Sequence, residues 1–118
     1  MGYDIRFKAK VEGVDYWVKV SSSRAIFPKS KREALEKMTG FSWMEGVNCG
    51  LCVDVIPIIK RTFNELCANP RIYEPRETQN FWGDVEMLQH FFWWILHDWE
   101  DFKKEYPELV SVVTFWIY

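Results

Sequence analysis

Three sets of residues in this 118-residue chain have the types and spacing that chemistry requires. The first is Cys49-Gly50-Leu51-Cys52, a C-x-x-C, with Cys67 as the third cysteine. In a thioredoxin-like setting such a pair follows a strand and opens a helix, which lowers the thiolate pKa. Here it follows a glycine-containing irregular stretch, Phe41 to Gly50, with no βαβ pattern around it. As half of a zinc site it needs two further ligands, and Cys67, His90 and His97 are the residues left to supply them. On one helix His90 and His97 would stand two turns apart, about 10 Å along the axis, too far to share a metal easily. Reduced structural cysteines are therefore expected. The histidines have no identifiable nucleophile or orienting carboxylate for general acid–base work. Asp98, Glu100, Asp101 and Glu105 have spacing suited to a divalent ion, but a solvated acidic helix face is the commoner use of such a run. No enzyme activity, cofactor or metal is expected, and a redox or metal-dependent enzyme using Cys49 and Cys52 is the remaining catalytic alternative.

The second set suits anion binding. Arg24, Lys29, Lys31 and Arg32 gather around a helix start, where free amides and the helix dipole favour phosphate. The plainer explanation is a solvated basic helix start. Arg71 and Arg76 add cations beside Tyr73, Phe81 and Trp82 in the proline-containing loop Asn69 to Gly83, longer than an ordinary connection. Charge for phosphate and a ring face for a base are what a nucleotide-like ligand needs, and a protein interface uses the same groups.

The third set is aromatic. Asn80 to Lys104 holds four of the seven tryptophans and both histidines. Placed at 100° per residue from Asp84, Val85, Leu88, Phe91, Phe92, Ile95, Leu96, Trp99 and Phe102 share one broad face. Glu86, Gln89, Glu100, Asp101 and Lys104 take the other. Trp93 and Trp94 fall on the polar side with His90 and His97, at i,i+4 spacings that make one cluster. Such a cluster suits a stacking platform or a protein contact. It is equally open to being covered by the N-terminal hairpin or a loop.

The elements that must hold these groups follow from periodicity. Tyr3 to Val11 alternates apolar and polar residues, the pattern of a half-buried strand. A turn at Glu12 to Asp15 and a strand over Tyr16 to Val20 complete a hairpin. Ser21-Ser22-Ser23 is expected to break it, with a short third strand over Arg24 to Phe27. Ser30 to Glu33 has the S-x-x-E capping-box spacing, and Gly40 stops the helix it opens. Asp54 is expected to cap a second helix that tolerates Pro57 in its first turn and buries Val55, Ile56, Ile59, Phe63, Leu66 and Cys67. Pro107 closes the aromatic helix. Leu109 to Tyr118 reads as a strand, apolar enough to be central in its sheet or covered by an oligomer partner. The expected fold is a single α+β domain, residues 1–118: a small antiparallel sheet, from the hairpin and the last strand, packed on three helices of which the last is long and aromatic.

A net charge of −2 gives no overall case for nucleic acid. No apolar run approaches the roughly 20 residues needed to span a membrane. An odd number of cysteines with no secretory leader points to a reducing, cytoplasmic setting. Aromatic residues make up 18% of the chain, more rings than a small interior easily houses, which points to a homo-oligomer.

Gly2-Tyr3-Asp4-Ile5, the run from Gly50 to Ile56-Pro57, then Tyr73-Glu74-Pro75, Asn80 and Trp82-Gly83 resemble the pattern of small phage- and prophage-encoded accessory proteins. Those open with a Y-D-I strand, start a middle helix with G-x-x-x-I-P and lead by a Y-x-P…N loop into a long helix. The C-terminal strand and the aromatic density have no counterpart in that pattern. The resemblance implies a binding protein, including the sponges that sequester nucleotide immune signals and the inhibitors of host defence proteins. The leading expectation is a non-enzymatic binding protein of that type that sequesters a nucleotide-like signal as a homo-oligomer, with Arg24, Lys29, Arg32, Arg71, Tyr73, Arg76, Asn80 and Trp82 as its ligand-binding residues. His90, Trp93, Trp94 and His97 are the expected interface, alternatively used to inhibit a host protein directly.

Overall fold

Alternation along the first strand sends Ile5, Phe7, Ala9 and Val11 to one side, where all four are buried, and leaves Arg6 and Lys10 exposed on the other. The computed structural model describes residues 3–25, 29–43, 54–72, 85–107 and 110–117. Among these run strands β1 (Tyr3–Val11) and β2 (Val18–Ala25), helices α1 (Lys29–Thr39) and α2 (Ile56–Ala68), a 3-10 turn (Pro70–Ile72), helix α3 (Val85–Glu105) and strand β3 (Val110–Ile117). The sheet is antiparallel with order β2-β1-β3, so the last strand pairs with the N-terminal hairpin and the fold is α+β.

Four local expectations are corrected. The serine run does not break β2, which continues from Val18 to Ala25. Register shifts where Phe7 faces Ser21 while Lys8 faces Lys19, leaving Val20 as the extra residue of a bulge. The bulge turns Ser21 inward, where it is 4% exposed and its hydroxyl donates to Asp98 Oδ2 of α3 at 2.5 Å. A small polar residue fits because a helix carboxylate waits for it. Secondly, among the described residues β3 is not central: the central strand is β1, and β3 pairs on one side with it. Its apolar character comes instead from both faces being covered in part. Val113, Phe115 and Ile117 enter the core, Thr114 is buried on the opposite side, and the Val113 carbonyl accepts the Val55 amide at 2.9 Å.

Thirdly, α1 begins at Lys29, so Ser30 lies inside its first turn rather than at the cap. Gly40 ends that helix as expected, with φ of +84° and its amide bonded to the Glu36 carbonyl at 2.7 Å. Fourthly, α2 buries Ile56, Ile59, Thr62 and Leu66 but exposes Cys67. Thr62 tolerates burial because its hydroxyl donates to the Ile58 carbonyl at 2.8 Å. Asp54 does accept the amide of the first helical residue, Ile56, at 3.1 Å. The proposed cap of α3 at Asp84 and the C-x-x-C lie outside the described residues.

The core centres on Trp43, which sequence periodicity leaves in an irregular stretch. It is fully buried and stacks on Phe115 with ring centroids 4.9 Å apart, while Phe91 and Phe92 of α3 each reach it at 6.1 Å. Its polar atoms are satisfied locally. The indole N–H donates to Thr39 Oγ1 at 2.9 Å, and the Trp43 amide donates to Glu36 Oε1 at 3.1 Å. Thus α1 supplies the hydrogen bonds that let a tryptophan sit between β3 and α3.

Candidate functional site: an aromatic face beside a groove

Helix α3 has two faces. Leu88, Phe91, Phe92, Ile95, Trp99 and Phe102 are buried, and Val85 and Leu96 pack at the margin of the core. This is the stripe that 100° spacing predicts. The opposite face runs Glu86, His90, Trp93, Trp94, His97, Glu100, Asp101 and Lys104, all exposed. Trp93 is 47% and Trp94 53% exposed, so the hairpin does not cover them. The hairpin packs elsewhere on the same helix, through Ser21 and Asp98.

The exposed rings hold one another. Trp93 and Trp94 meet edge-on at 4.9 Å, His97 stacks on Trp93 at 5.1 Å, and His97 meets Trp94 at 5.5 Å. His97 Nδ1 also lies 3.8 Å from both Asp98 Oδ1 and Asp101 Oδ2. His90 lies at the other end of the patch. With Gln89, Trp93 and Trp94 it forms the α3 wall of a groove of about 500 Å³, whose other wall is Phe63 and Cys67 of α2. Gln89 fixes the two walls: its side-chain amide donates to the Leu66 carbonyl at 3.1 Å, in the last turn of α2 where carbonyls lack helical partners. Sequence reasoning missed Phe63, Cys67 and Gln89 as groove residues. The signal was there in part, since Phe63 and Cys67 are i,i+4 and share one face of α2.

The described residues of the expected anion site stand on other elements. Arg24, on β2, is exposed and paired with Asp4 at 3.3 Å. Lys29 opens α1 and Arg32 is half-buried in it, while Arg71 is exposed in the 3-10 turn. Arg24, Arg32 and Arg71 line no part of the α2–α3 groove. Tyr73, Arg76, Asn80 and Trp82 lie outside the described residues, as do Cys49 and Cys52.

The acidic run of α3 has structural partners. Asp98 takes the Ser21 hydroxyl, Glu100 pairs with Lys103 at 3.1 Å, and Asp101 pairs with Lys104 at 3.7 Å. Among the described residues no group of three or more histidine, cysteine or carboxylate side chains is placed to hold a metal ion. No helix among them is long and apolar enough to cross a membrane. The site presents two half-exposed indoles and two imidazoles beside a groove, bordered by carboxylates, groups suited to contact. Compared with family models, with curated proteins and with solved structures, the chain finds no match.

Proposed function

We propose that the chain is a non-enzymatic binding protein of phage accessory type that docks a partner protein on the exposed face of α3. The observation that carries this is the pair Trp93 and Trp94, about half exposed on a helix whose other face already fills the core. Large rings left in water cost free energy that burial in a partner recovers, and tryptophan is enriched among the residues that dominate interfaces. The groove between α2 and α3 suits an amphipathic helix that inserts an aliphatic or aromatic anchor. Glu86, Glu100 and Asp101 border the patch along α3, so basic residues flanking that anchor would complement it.

The test is retention of host proteins by wild type against a Trp93→Ala/Trp94→Ala variant that remains folded. A partner held by wild type and released by the variant supports the docking face. A partner held equally by both would place the contact elsewhere.

A second reading keeps the same groove for a nucleotide-like signal. Its volume of about 500 Å³ falls in the range of small-ligand sites, and the stacked Trp93 and His97 rings offer a surface for a base. Binding as a homo-oligomer belongs to this reading, with the patch of one copy closing that of another. A thermal-shift scan with cyclic and ADP-ribose-type nucleotides tests the ligand, since binding to the folded state raises the melting temperature. A single 14.2 kDa particle by light scattering would exclude the oligomer.

A further inference from the structure

The side of the sheet facing away from the core carries mostly positive charge together with two indoles. Cross-strand register puts Lys8 directly opposite Lys19 of β2 and Thr114 of β3, Arg6 opposite Ser22 and Trp116, and Lys10 opposite Val112. Trp17, just before β2, meets Trp116 edge-on at 5.3 Å. Lys8 Nζ lies 4.9 Å over the Trp116 ring and Lys10 Nζ 5.8 Å over the Trp17 ring. Arg6, Lys10 and Lys19 are exposed, and Lys8, Trp17 and Trp116 are half-exposed. Asp4, paired with Arg24, is the one carboxylate that the three strands place on this side. Glu12 and Asp15 lie beyond it, in the turn between β1 and β2.

Stability accounts for only part of this arrangement, through the lysines that lie over Trp116 and Trp17. Like charges directly opposite one another weaken a sheet, as Lys8 and Lys19 must. Lysines commonly guard edge strands against aggregation, but Lys8 and Lys10 are on the central strand. Solubility is served by mixed charges, and tryptophans do not serve it at all. A ligand that neutralises the cations and covers the rings accounts for both.

We propose that this face binds single-stranded nucleic acid, with Lys8, Lys10, Lys19 and Arg6 along the phosphates and Trp17 and Trp116 stacking on bases. Successive cations on β1 are about 6.7 Å apart, a row that follows an extended backbone. Indoles need unpaired bases, because a duplex hides its ring faces. The net charge of −2 sums this basic face with an acidic α3 that carries Glu86, Asp98, Glu100, Asp101 and Glu105, and so conceals it.

The experiment is fluorescence anisotropy with labelled oligo-dT and oligo-U of about 12 nucleotides, each titrated from about 50 to 200 mM salt. Binding to either strand is expected, with log K falling against log salt at a slope of about −2 to −3 for three to four phosphate contacts. The Lys8→Gln/Lys10→Gln variant should flatten the slope by about 1.4. Trp17→Leu and Trp116→Leu should each weaken binding about fivefold or more with the slope unchanged. Trp17 lies outside the strands, so its variant remains informative if the Trp116 variant misfolds by circular dichroism. Trp93→Ala/Trp94→Ala should bind as wild type, which separates this face from the docking face of α3. No binding to either strand at the lowest salt would overturn the proposal. So would inorganic polyphosphate competing as well as oligo-dT, or a salt slope unmoved by the lysine variant.

Discussion

Replacing Trp43 by alanine should cost about 3–5 kcal/mol of folding free energy, the range for emptying a buried aromatic site. The magnitude can be built from the surroundings. Trp43 is 0% exposed, and burying about 150–250 Å² of a tryptophan at roughly 25 cal/mol per Å² amounts to about 4–6 kcal/mol as an upper value. The truncation would also strip a ring partner from Phe115, Phe91 and Phe92 and remove the donor to Thr39 Oγ1. Domains of this kind are stable by about 5–15 kcal/mol, so the loss is a large fraction of the whole. Trp43→Phe keeps a ring in the stack but loses the indole N–H, and should cost less, about 1.5–3 kcal/mol. Urea unfolding followed by circular dichroism measures both, with a lower midpoint and an unchanged m-value. A double-mutant cycle with Thr39→Val isolates the hydrogen bond at about 1 kcal/mol. A Trp43→Ala variant within about 1 kcal/mol of wild type would refute the placement of this ring at the centre of the core.

Further outcomes follow from single contacts. Ser21→Ala removes the hydroxyl that meets Asp98 and should lower the melting temperature by about 4 °C, corresponding to about 1 kcal/mol for a half-buried bond to a carboxylate. Ser22→Ala, one residue along the strand and exposed, is the control and should change little. Gly40→Ala should cost about 1–2 kcal/mol in the same assay. Its φ is +84°, and open space around the position leaves backbone conformation as the whole cost. Gln89→Ala should cost about 1 kcal/mol by releasing the Leu66 carbonyl, and should loosen the groove that Gln89 braces.

Where one physical rule governs, this fold can be read from its sequence. Alternation placed Ile5, Phe7, Ala9 and Val11 in the core, and the 100° rule separated the buried stripe of α3 from Trp93 and Trp94. Where a tertiary partner decides, local rules misled. Ser21 to Ser23 read as a break because serine favours turns, yet Asp98, 77 residues away in sequence, supplies the bond that keeps Ser21 buried in a strand. The apolar run of β3 implied a central position, but a strand with one neighbour among the described residues is covered just as well by core residues and the Val55 amide. Trp43 has no periodic context, and its importance comes from rings on β3 and α3. The groove was partly visible, because each wall has helical spacing; their juxtaposition depends on the Gln89 to Leu66 bond between two helices. The basic sheet face was present in the alternation of β1, but Trp17 and Trp116 join it only through strand register.

The outward rings of α3 are held to be a contact surface that folding does not require. Urea unfolding of Trp93→Ala/Trp94→Ala tests that claim most directly. Both side chains are about half exposed, and alanine is the better helix former, which offsets part of the lost ring contact. The expected result is a loss below about 1.5 kcal/mol for both rings together, less than half of that for Trp43→Ala alone. A loss of 3 kcal/mol or more (about that of emptying a core site) would show that Trp93 and Trp94 are structural and contradict their assignment to a binding face.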